Sequence, residues 1–410
     1  MKILMVNKFH YLKGGSEKYY FELAELLKKN GHEIAFFSMD NERNIKTDNK
    51  EYFVKKIDLN SGSKLEAIDV IYSKKNKVTM KKALKEFRPD IVHINNFQRQ
   101  LSESIVEAIY EENIPIVFTA HDVQAICPAI TMLDNNKEIC ELCKNGKYIN
   151  CIKKNCIKNS KLKSVLGAIE GKYYRIKKVY SKKISYIITP SEFYRQKLID
   201  DGIDKEKIET IYNSIDLQKY DLKAEDEGYA LYFGRLSKEK GILNLIEAFS
   251  KIQNKKLYIA GDGPEKNKII EIIENNNLQK NIKLLGYLNQ EEIKEYIRKC
   301  SFVVVPSIWY ENCPYSILET LAIGKPVIGA DIGGIPELVK NKENGLIFKY
   351  DDVSDLENKM KILFEDNDLV KKLGDNAKKS AKELYGKDEY YKKIIKIYEN
   401  IIKQRSIENG

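Results

Sequence analysis

The sequence predicts an α/β protein built from two doubly wound domains, each a parallel sheet covered by helices. Three observations carry this expectation. Short apolar runs alternate with amphipathic helical stretches, and the whole rhythm occurs twice. The length of 410 residues exceeds one typical core and suits two. Glycines and charged residues fall just after the strand-like runs, where open α/β sheets bind ligands.

The first series opens with KILMV (2–6), short and apolar. Gly14-Gly15 follows, then SEKYYFELAELLKKNG, where Tyr20, Leu23, Ala24 and Leu27 recur at helical spacing and Gly31 stands at the C-cap position. EIAFFS (33–38), PDIVHI (89–94), PIVFT (115–119) and YIITP (186–190) supply further strands. The second series is YALYFGRL (229–236), KLYIAG (256–261), NIKLLG (281–286), FVVVPS (302–307) and PVIGAD (326–331). Helices between such runs imply right-handed parallel crossovers. A break near 205–225, where DKEKIETIYNSID gives way to DLKAEDEG, divides the chain into domains 1–210 and 211–387. In 388–410, Tyr391, Ile394, Ile395, Tyr398 and Ile402 mark the apolar face of a last helix that must be buried.

Hydrophobic residues make up 43% and charged residues 32%, an ordinary globular composition. No run approaches the ~20 apolar residues of a membrane-spanning helix. The KILMV start lacks a basic region, a long apolar stretch and a small-residue cleavage site, so a cytoplasmic protein is expected. The net charge is +10, and it is uneven. Residues 1–210 hold 38 Lys/Arg against 28 Asp/Glu, whereas residues 211–410 hold 32 of each. An acidic partner would meet the N-terminal half; a solvated lysine-rich surface is the plain alternative. No RNA or DNA motif accompanies the charge, so nucleic acid is not an expected partner, and a basic nucleic-acid-binding protein stands only as an alternative.

Several motifs in the second half bear chemistry. FGRLSKEKG (233–241) sets Arg235 and Lys240 after a strand and before a helix, a ready anion site. GDGP (261–264) is a tight turn into a helix, and GGIPELV (333–339) places two glycines before another, where backbone N–H groups could approach a phosphate. In IWYENCPYSILET, Glu311 lies in a loop and Pro314 suits a first helical turn. Glu319 then falls near that helix's start, as a carboxylate that can accept from vicinal hydroxyls. Each motif alone has a bland reading as a surface turn or a solvated charge.

In order along the chain, Gly14-Gly15, His121 after PIVFT, TPSEF, IYNSID, FGRLSKEKG, GDGP, the Glu311/Glu319 pair and GGIPELV resemble the retaining glycosyltransferases of family four, over nearly the whole length. The resemblance implies the GT-B fold, two Rossmann-like domains facing each other across a cleft. It implies a nucleotide-sugar donor, a UDP- or GDP-sugar, and a glycan or lipid-linked acceptor in cell-surface polysaccharide synthesis. Arg235 and Lys240 would neutralise the donor diphosphate, Glu319 would hold the ribose, and Glu311 would contact donor-sugar hydroxyls. Gly14 and Gly15 would admit the phosphates, and His121 would sit against the sugar with Asp122 to orient it. Asn312, Cys313, Pro314, Tyr315 and Ser316 would complete the donor site, and His121, Glu311, Arg235 and Lys240 would be the catalytic set. Both glutamates then grip hydroxyls rather than run glycosidase acid/base chemistry. No metal is required, because the cations offset the leaving group's charge. The last helix would pack back on the N-terminal domain. Many relatives read E-G-F-G where Glu311-Asn312-Cys313-Pro314 stands, so the donor sugar stays open. A nucleotide-sugar epimerase of the same fold is the alternative.

Two features lie outside that resemblance. An insert at about 124–160 holds Cys127, Cys140, Cys143, Cys151 and Cys156, candidates for a structural zinc; a cysteine-bearing loop without metal is the alternative. In residues 161–183, Leu162, Val165, Leu166, Ile169, Tyr173, Ile176 and Tyr180 form one helical stripe, flanked by eight Lys/Arg against Glu170. That stripe either packs on its own domain or rests on an anionic membrane surface. Of the remaining histidines, His93 ends a strand as an acceptor-side or hydrogen-bonded residue, and His10 and His32 read as surface or loop residues.

Overall fold

The computed structural model describes residues 1–57 and 64–408. It divides into two compact units, Met1–Ile211 with Tyr391–Gly410, and Tyr212–Tyr390. Residues 409–410 of the expected terminal segment lie outside the described residues.

The first unit holds β1 (Lys2–Asn7), β2 (Glu33–Met39), β3 (Lys50–Val54), β4 (Ile91–Asn96), β5 (Ile116–Thr119), β6 (Tyr186–Thr189) and β7 (Ile208–Thr210). Among the described residues they form one parallel sheet in the order β3-β2-β1-β4-β5-β6-β7. Its helices are α1 (Gly15–Lys29), α2 (Lys64–Ile71), α3 (Lys74–Phe87), α4 (Ser104–Glu111), α5 (Ile149–Lys153), α6 (Lys161–Ile176) and α7 (Glu192–Asp200). Every residue of β4 is buried, as a strand covered on both faces requires.

The second unit holds β8 (Tyr229–Phe233), β9 (Lys256–Ala260), β10 (Ile282–Gly286), β11 (Phe302–Val305), β12 (Val327–Ala330) and β13 (Gly345–Phe348). Its sheet is also parallel, in the order β10-β9-β8-β11-β12-β13. Its helices are α8 (Ile242–Ser250), α9 (Lys266–Asn275), α10 (Gln290–Lys299), α11 (Tyr315–Ile323), α12 (Ile335–Leu338), α13 (Val353–Glu365) and α14 (Asn367–Leu384). In each sheet the strand order reverses beside the first strand, between β1 and β4 and between β8 and β11. Loops on either side of such a switch point diverge and leave a crevice at the carboxyl edge.

The last helix is α15 (Lys387–Glu408). From Tyr391 onward it groups with the first unit, where Tyr391 hydrogen-bonds His32 at 2.8 Å and Tyr398 hydrogen-bonds His93. The buried line runs through Ile394, Ile397, Tyr398 and Ile401. Of the five residues expected on that face, Ile394 and Tyr398 lie on the buried line, and Tyr391, Ile395 and Ile402 form its half-buried edge.

His10 departs from the surface reading. It is fully buried, with rings of Phe36 and Phe53 set edge-on within 5.5 Å, and its Nδ1 lies 3.2 Å from the Tyr20 hydroxyl. Aromatic rings from α1, β2 and β3 close around His10 in the loop after β1, and sequence spacing gives no sign of that convergence.

The cysteine insert also differs from expectation. It has a small apolar core of its own, in which Cys143 and Cys151 pack with Tyr148, Ile157 and Ala168. Lys154–Asp134 at 2.8 Å and Lys144–Asp200 at 3.1 Å pin its polar parts. Among the described residues, no three His, Cys, Asp or Glu side chains are arranged to hold a metal ion. Burial pushes the Cys127 thiol up to about 11 and the Cys143 thiol up to about 12, whereas a hydrogen bond from Cys151 pulls Cys156 down to about 7.

Candidate functional site

The second unit gathers its motif residues at the switch point between β8 and β11. After β8 the chain passes Gly234 and the exposed Arg235 into a short 3-10 turn, Lys238–Lys240. Gly241 then takes a left-handed conformation at φ 69°, and a Cβ there would stand 1.8 Å from the Pro306 carbonyl oxygen. Only glycine lets the two loops meet so closely. A backbone hydrogen bond from Ile308 N–H to Glu239 O at 3.0 Å joins them.

That approach brings Lys240 to Glu311. Lys240 Nζ lies 2.6 Å from Glu311 Oε1 and 5.3 Å from the Trp309 ring centre. The same carboxylate oxygen accepts from Ser307 Oγ at 2.7 Å and Trp309 Nε1 at 2.8 Å. Glu311 is buried. Burial favours its neutral form, but the Lys240 charge and the three donors outweigh it and hold the carboxyl below its usual range. It therefore stays ionised at neutral pH. An ionised carboxylate accepts hydrogen bonds and has no proton to donate.

The loop is locked from behind. Gly333 has φ 60°, and a Cβ there would lie 2.4 Å from the Glu311 carbonyl oxygen; Gly334 N–H donates to that oxygen at 2.8 Å. The glycine pair of GGIPELV thus braces Glu311, and the Gly334 N–H is committed to it rather than to a phosphate. The GDGP turn braces the β8 loop in the same way. Leu236 N–H donates to Asp262 O at 2.9 Å, and a Cβ on Gly263 would lie 2.3 Å from Leu236 O.

Beyond Glu311, Asn312 and Tyr315 lie half-buried and Cys313 is buried, its carbonyl accepting from Asn213 Nδ2 at 3.0 Å. Pro314 is the N-cap of α11, with no side-chain cap, and Ser316 follows in the first turn. Its fixed φ suits that position, and the helix start carries partial positive charge. Glu319 is buried on α11, where its Oε1 accepts from the Tyr220 hydroxyl at 3.0 Å. Tyr220 in turn accepts from Gln290 Nε2 at 2.8 Å. Ser307, Trp309 and Tyr220 carry no motif. The one signal available was that Trp309 is the chain's single tryptophan, two residues before Glu311.

In the first unit, Gly14 is the N-cap of α1 and Gly15 its first residue, just past β1. His121 follows β5; its Nε2 lies 2.9 Å from Asn95 Oδ1 on β4, and Tyr19 packs edge-on against the ring at 4.6 Å. Burial pulls His121 down to about 3, so the imidazole is neutral. Asp122 uses Oδ1 to accept from Gln124 N–H at 2.9 Å, and Asn95 is the partner that orients the ring. Beneath lies His93, buried between Tyr398 and Thr119, whose Oγ1 is 2.8 Å from His93 Nε2 and 3.0 Å from the Tyr19 hydroxyl. Asn95, Tyr19 and Thr119 were invisible in the sequence, because their role depends on neighbouring strands.

Residues 13–219 match the family model described as Glycosyltransferase Family 4, about half of the chain. The chain belongs to glycosyltransferase family 4. Residues 214–380 of this family member match a second model, glycosyl transferases group 1. A glycosyltransferase of Methanocaldococcus jannaschii is 32% identical over 236 residues, covering 57% of this chain and 64% of the relative. A 42.6 kDa protein in the cps region of Klebsiella pneumoniae is 26% identical over 378 residues, 87% of this chain and 92% of the relative. The Campylobacter jejuni enzyme named N-acetylgalactosamine-N,N'-diacetylbacillosaminyl-diphospho-undecaprenol 4-alpha-N-acetylgalactosaminyltransferase is 32% identical over 188 residues, 44% of this chain and 51% of the relative. The match thus spans less than two thirds of the first and the last of these relatives.

Solved structures agree on the fold. Sucrose-phosphate synthase from Thermosynechococcus elongatus superposes with a TM-score of 0.73 at 17% identity, covering 98% of this chain and 99% of that one. Anabaena HepE in complex with UDP gives 0.71 at 18% identity, covering 98% and 100%. This family-four enzyme therefore has the GT-B fold. Among the described residues, no helix is long and apolar enough to cross a membrane.

Proposed function

We propose that this glycosyltransferase moves a sugar from a nucleotide-diphosphate donor to a glycan or lipid-linked acceptor in cell-surface polysaccharide synthesis. The observation that carries the reading is the Lys240–Glu311 pair at the β8/β11 switch point, 2.6 Å apart and braced by Ser307, Trp309 and Gly334. A cation and a fixed carboxylate side by side match the two ends of the bond to be broken. Lys240, with the exposed Arg235, offsets charge growing on the departing diphosphate. Glu311 accepts from hydroxyls of the sugar, and Glu319 from those of the ribose. Asn312, Cys313, Pro314, Tyr315 and Ser316 bring the start of α11 against the phosphates.

In the first unit, Gly14 and Gly15 would leave the start of α1 open to phosphate, and neutral His121 would hydrogen-bond a sugar rather than carry charge. The reaction keeps the donor's anomeric configuration and uses no metal, because the cations supply the charge. The HepE complexes with UDP and UDP-glucose support a UDP-sugar over a GDP-sugar. The diphospho-undecaprenol in the Campylobacter enzyme's name supports a lipid-linked acceptor. The enzyme then works on the cytoplasmic side, at an anionic membrane surface.

A thermal-shift series with UDP, GDP and ADP tests the donor site, since a bound nucleotide raises the melting temperature by mass action. UDP should give the largest shift in the wild type and none in Glu319→Ala. Equal shifts in both would remove Glu319 from the site. NMR of the product of a donor-plus-acceptor incubation should show the donor's anomer; an epimerised free nucleotide sugar without transfer would sink the transferase reading.

A further inference from the structure

Helix α6 is set into its unit the opposite way round from an ordinary amphipathic helix. Its small residues face inward: Ser164, Gly167 and Ala168 are buried together with Tyr174. A Cβ on Gly167 would meet Ile157 Cδ1 at 2.4 Å, and one on Gly171 would meet the Tyr148 ring at 3.1 Å. The core of the cysteine insert therefore presses against the glycine side. The large apolar side chains are left outside. Leu162, Ile169 and Ile176 are 78%, 49% and 66% exposed. At seven-residue spacing they form one line along the helix. Val165, Leu166 and Tyr173 flank it, half-buried. Helix α2 packs beside α6, with Tyr72 edge-on to Tyr173 at 6.4 Å, and its Ile68 is 61% exposed.

The exposed charges of α6 itself are all positive. Lys161, Lys172, Lys177 and Lys178 are exposed along α6 and just past its end. The helix has a single acid, Glu170, and it is buried on the inner side, where Arg99 N–H donates to it at 2.8 Å.

We propose that this outer face of α6, with Ile68 of α2, docks on the surface of an anionic lipid bilayer. Side chains of the Leu162–Ile169–Ile176 line enter the headgroup–acyl boundary, and the lysines reach anionic headgroups while their stems cover apolar surface. Lysine is depleted from protein–protein interfaces, so a rim of lysines around an apolar line fits lipid better than a second protein. The proposal deepens the reading of a lipid-linked acceptor, but it stands on binding and not on turnover.

The test is co-flotation of the full chain with vesicles of phosphatidylcholine, alone or mixed with phosphatidylglycerol. The wild type should float with the mixed vesicles and not with pure phosphatidylcholine, and binding should weaken as salt rises. The triple variant Leu162→Ser, Ile169→Ser, Ile176→Ser should lose at least about tenfold in binding, because three inserted side chains are removed. Its melting temperature should stay unchanged, as all three side chains are exposed. Lys161→Gln with Lys172→Gln and Lys177→Gln should lose binding to the anionic vesicles alone. Equal flotation of the wild type and the serine variant would overturn the proposal. So would a wild type that stays unbound at low salt, or a vesicle-free dimer abolished by the serine variant. Transfer to a short soluble acceptor, measured in parallel, should be the same in all variants; its absence from the wild type would count against the transferase reading and leave the vesicle result standing.

Discussion

Lys240 and Glu311 are 71 residues apart in sequence and 2.6 Å apart in space, and the same carboxylate oxygen also receives Ser307 and Trp309. Glu311 is buried, so this pair is a structural contact as well as the feature on which the proposed donor site rests.

Removing one partner should show both roles. Lys240→Ala leaves a buried carboxylate with less compensation, and the charge it offers to the leaving group is lost. Transfer should fall by about 2–4 kcal/mol in kcat/KM, and urea unfolding should show a loss of stability as well. Glu311→Gln with Lys240→Met should recover much of the stability, since a neutral pair has no uncompensated charge. It should not recover transfer. A double variant with near-wild-type turnover would show the pair to be structural only.

Gly241→Ala should be disruptive out of proportion to one methyl group. The new Cβ would lie 1.8 Å from backbone oxygen of Pro306, at a residue with φ 69°. Strain of this kind costs on the order of 1–3 kcal/mol before any backbone shift. The shift itself would move the Lys240 turn away from Glu311. Chemical unfolding and transfer assays should both decline; unchanged stability would mean that the loops separate freely.

Tyr220→Phe isolates the support of Glu319. The hydroxyl donates to Glu319 at 3.0 Å and accepts from Gln290 at 2.8 Å. Its loss should weaken donor binding by about 1 kcal/mol. The Michaelis constant for the donor should rise, while the melting temperature of the nucleotide-free protein changes little. Unchanged donor affinity would leave Tyr220 as packing alone.

His93 sets a direction for pH dependence. Burial between Tyr398 and Thr119 lowers it to about 3, against 6.5 for the free side chain. Between those values the unfolded chain binds the extra proton, so stability rises with pH there. The contribution is complete above the upper value and is lost as pH falls toward the lower one. His121, held down to about 3 by burial, adds to the same window. The urea midpoint should therefore drop steadily on acidification from neutral pH, and His93→Gln should make that drop shallower. An equal slope in the variant would assign the effect to other groups.

Much of this protein was legible in one dimension. Apolar runs such as KILMV and FVVVP can only be buried parallel strands when helical stretches separate them, and the two series gave two units. The ordered motifs placed Arg235, Lys240 and Glu311 in loops after strands, where such residues face a crevice, and Glu319 on the helix that follows. What the sequence could not decide was which residues meet across those loops. The ion pair of Lys240 with Glu311 follows from strand order, which puts β8 beside β11 although β9 and β10 come between them in the chain. His10, read as a surface or loop residue, is buried because four aromatic rings from three segments converge on it. Cys143 and Cys151 pack with Tyr148 and Ile157 in an apolar cluster that cysteine spacing does not show. Periodicity showed that α6 has an apolar face, but not on which side its neighbours lie. Close approach favours small side chains, so the glycine and serine side met the insert and the apolar line was left facing solvent. Local sequence determines the elements and their faces; only tertiary packing decides which faces touch.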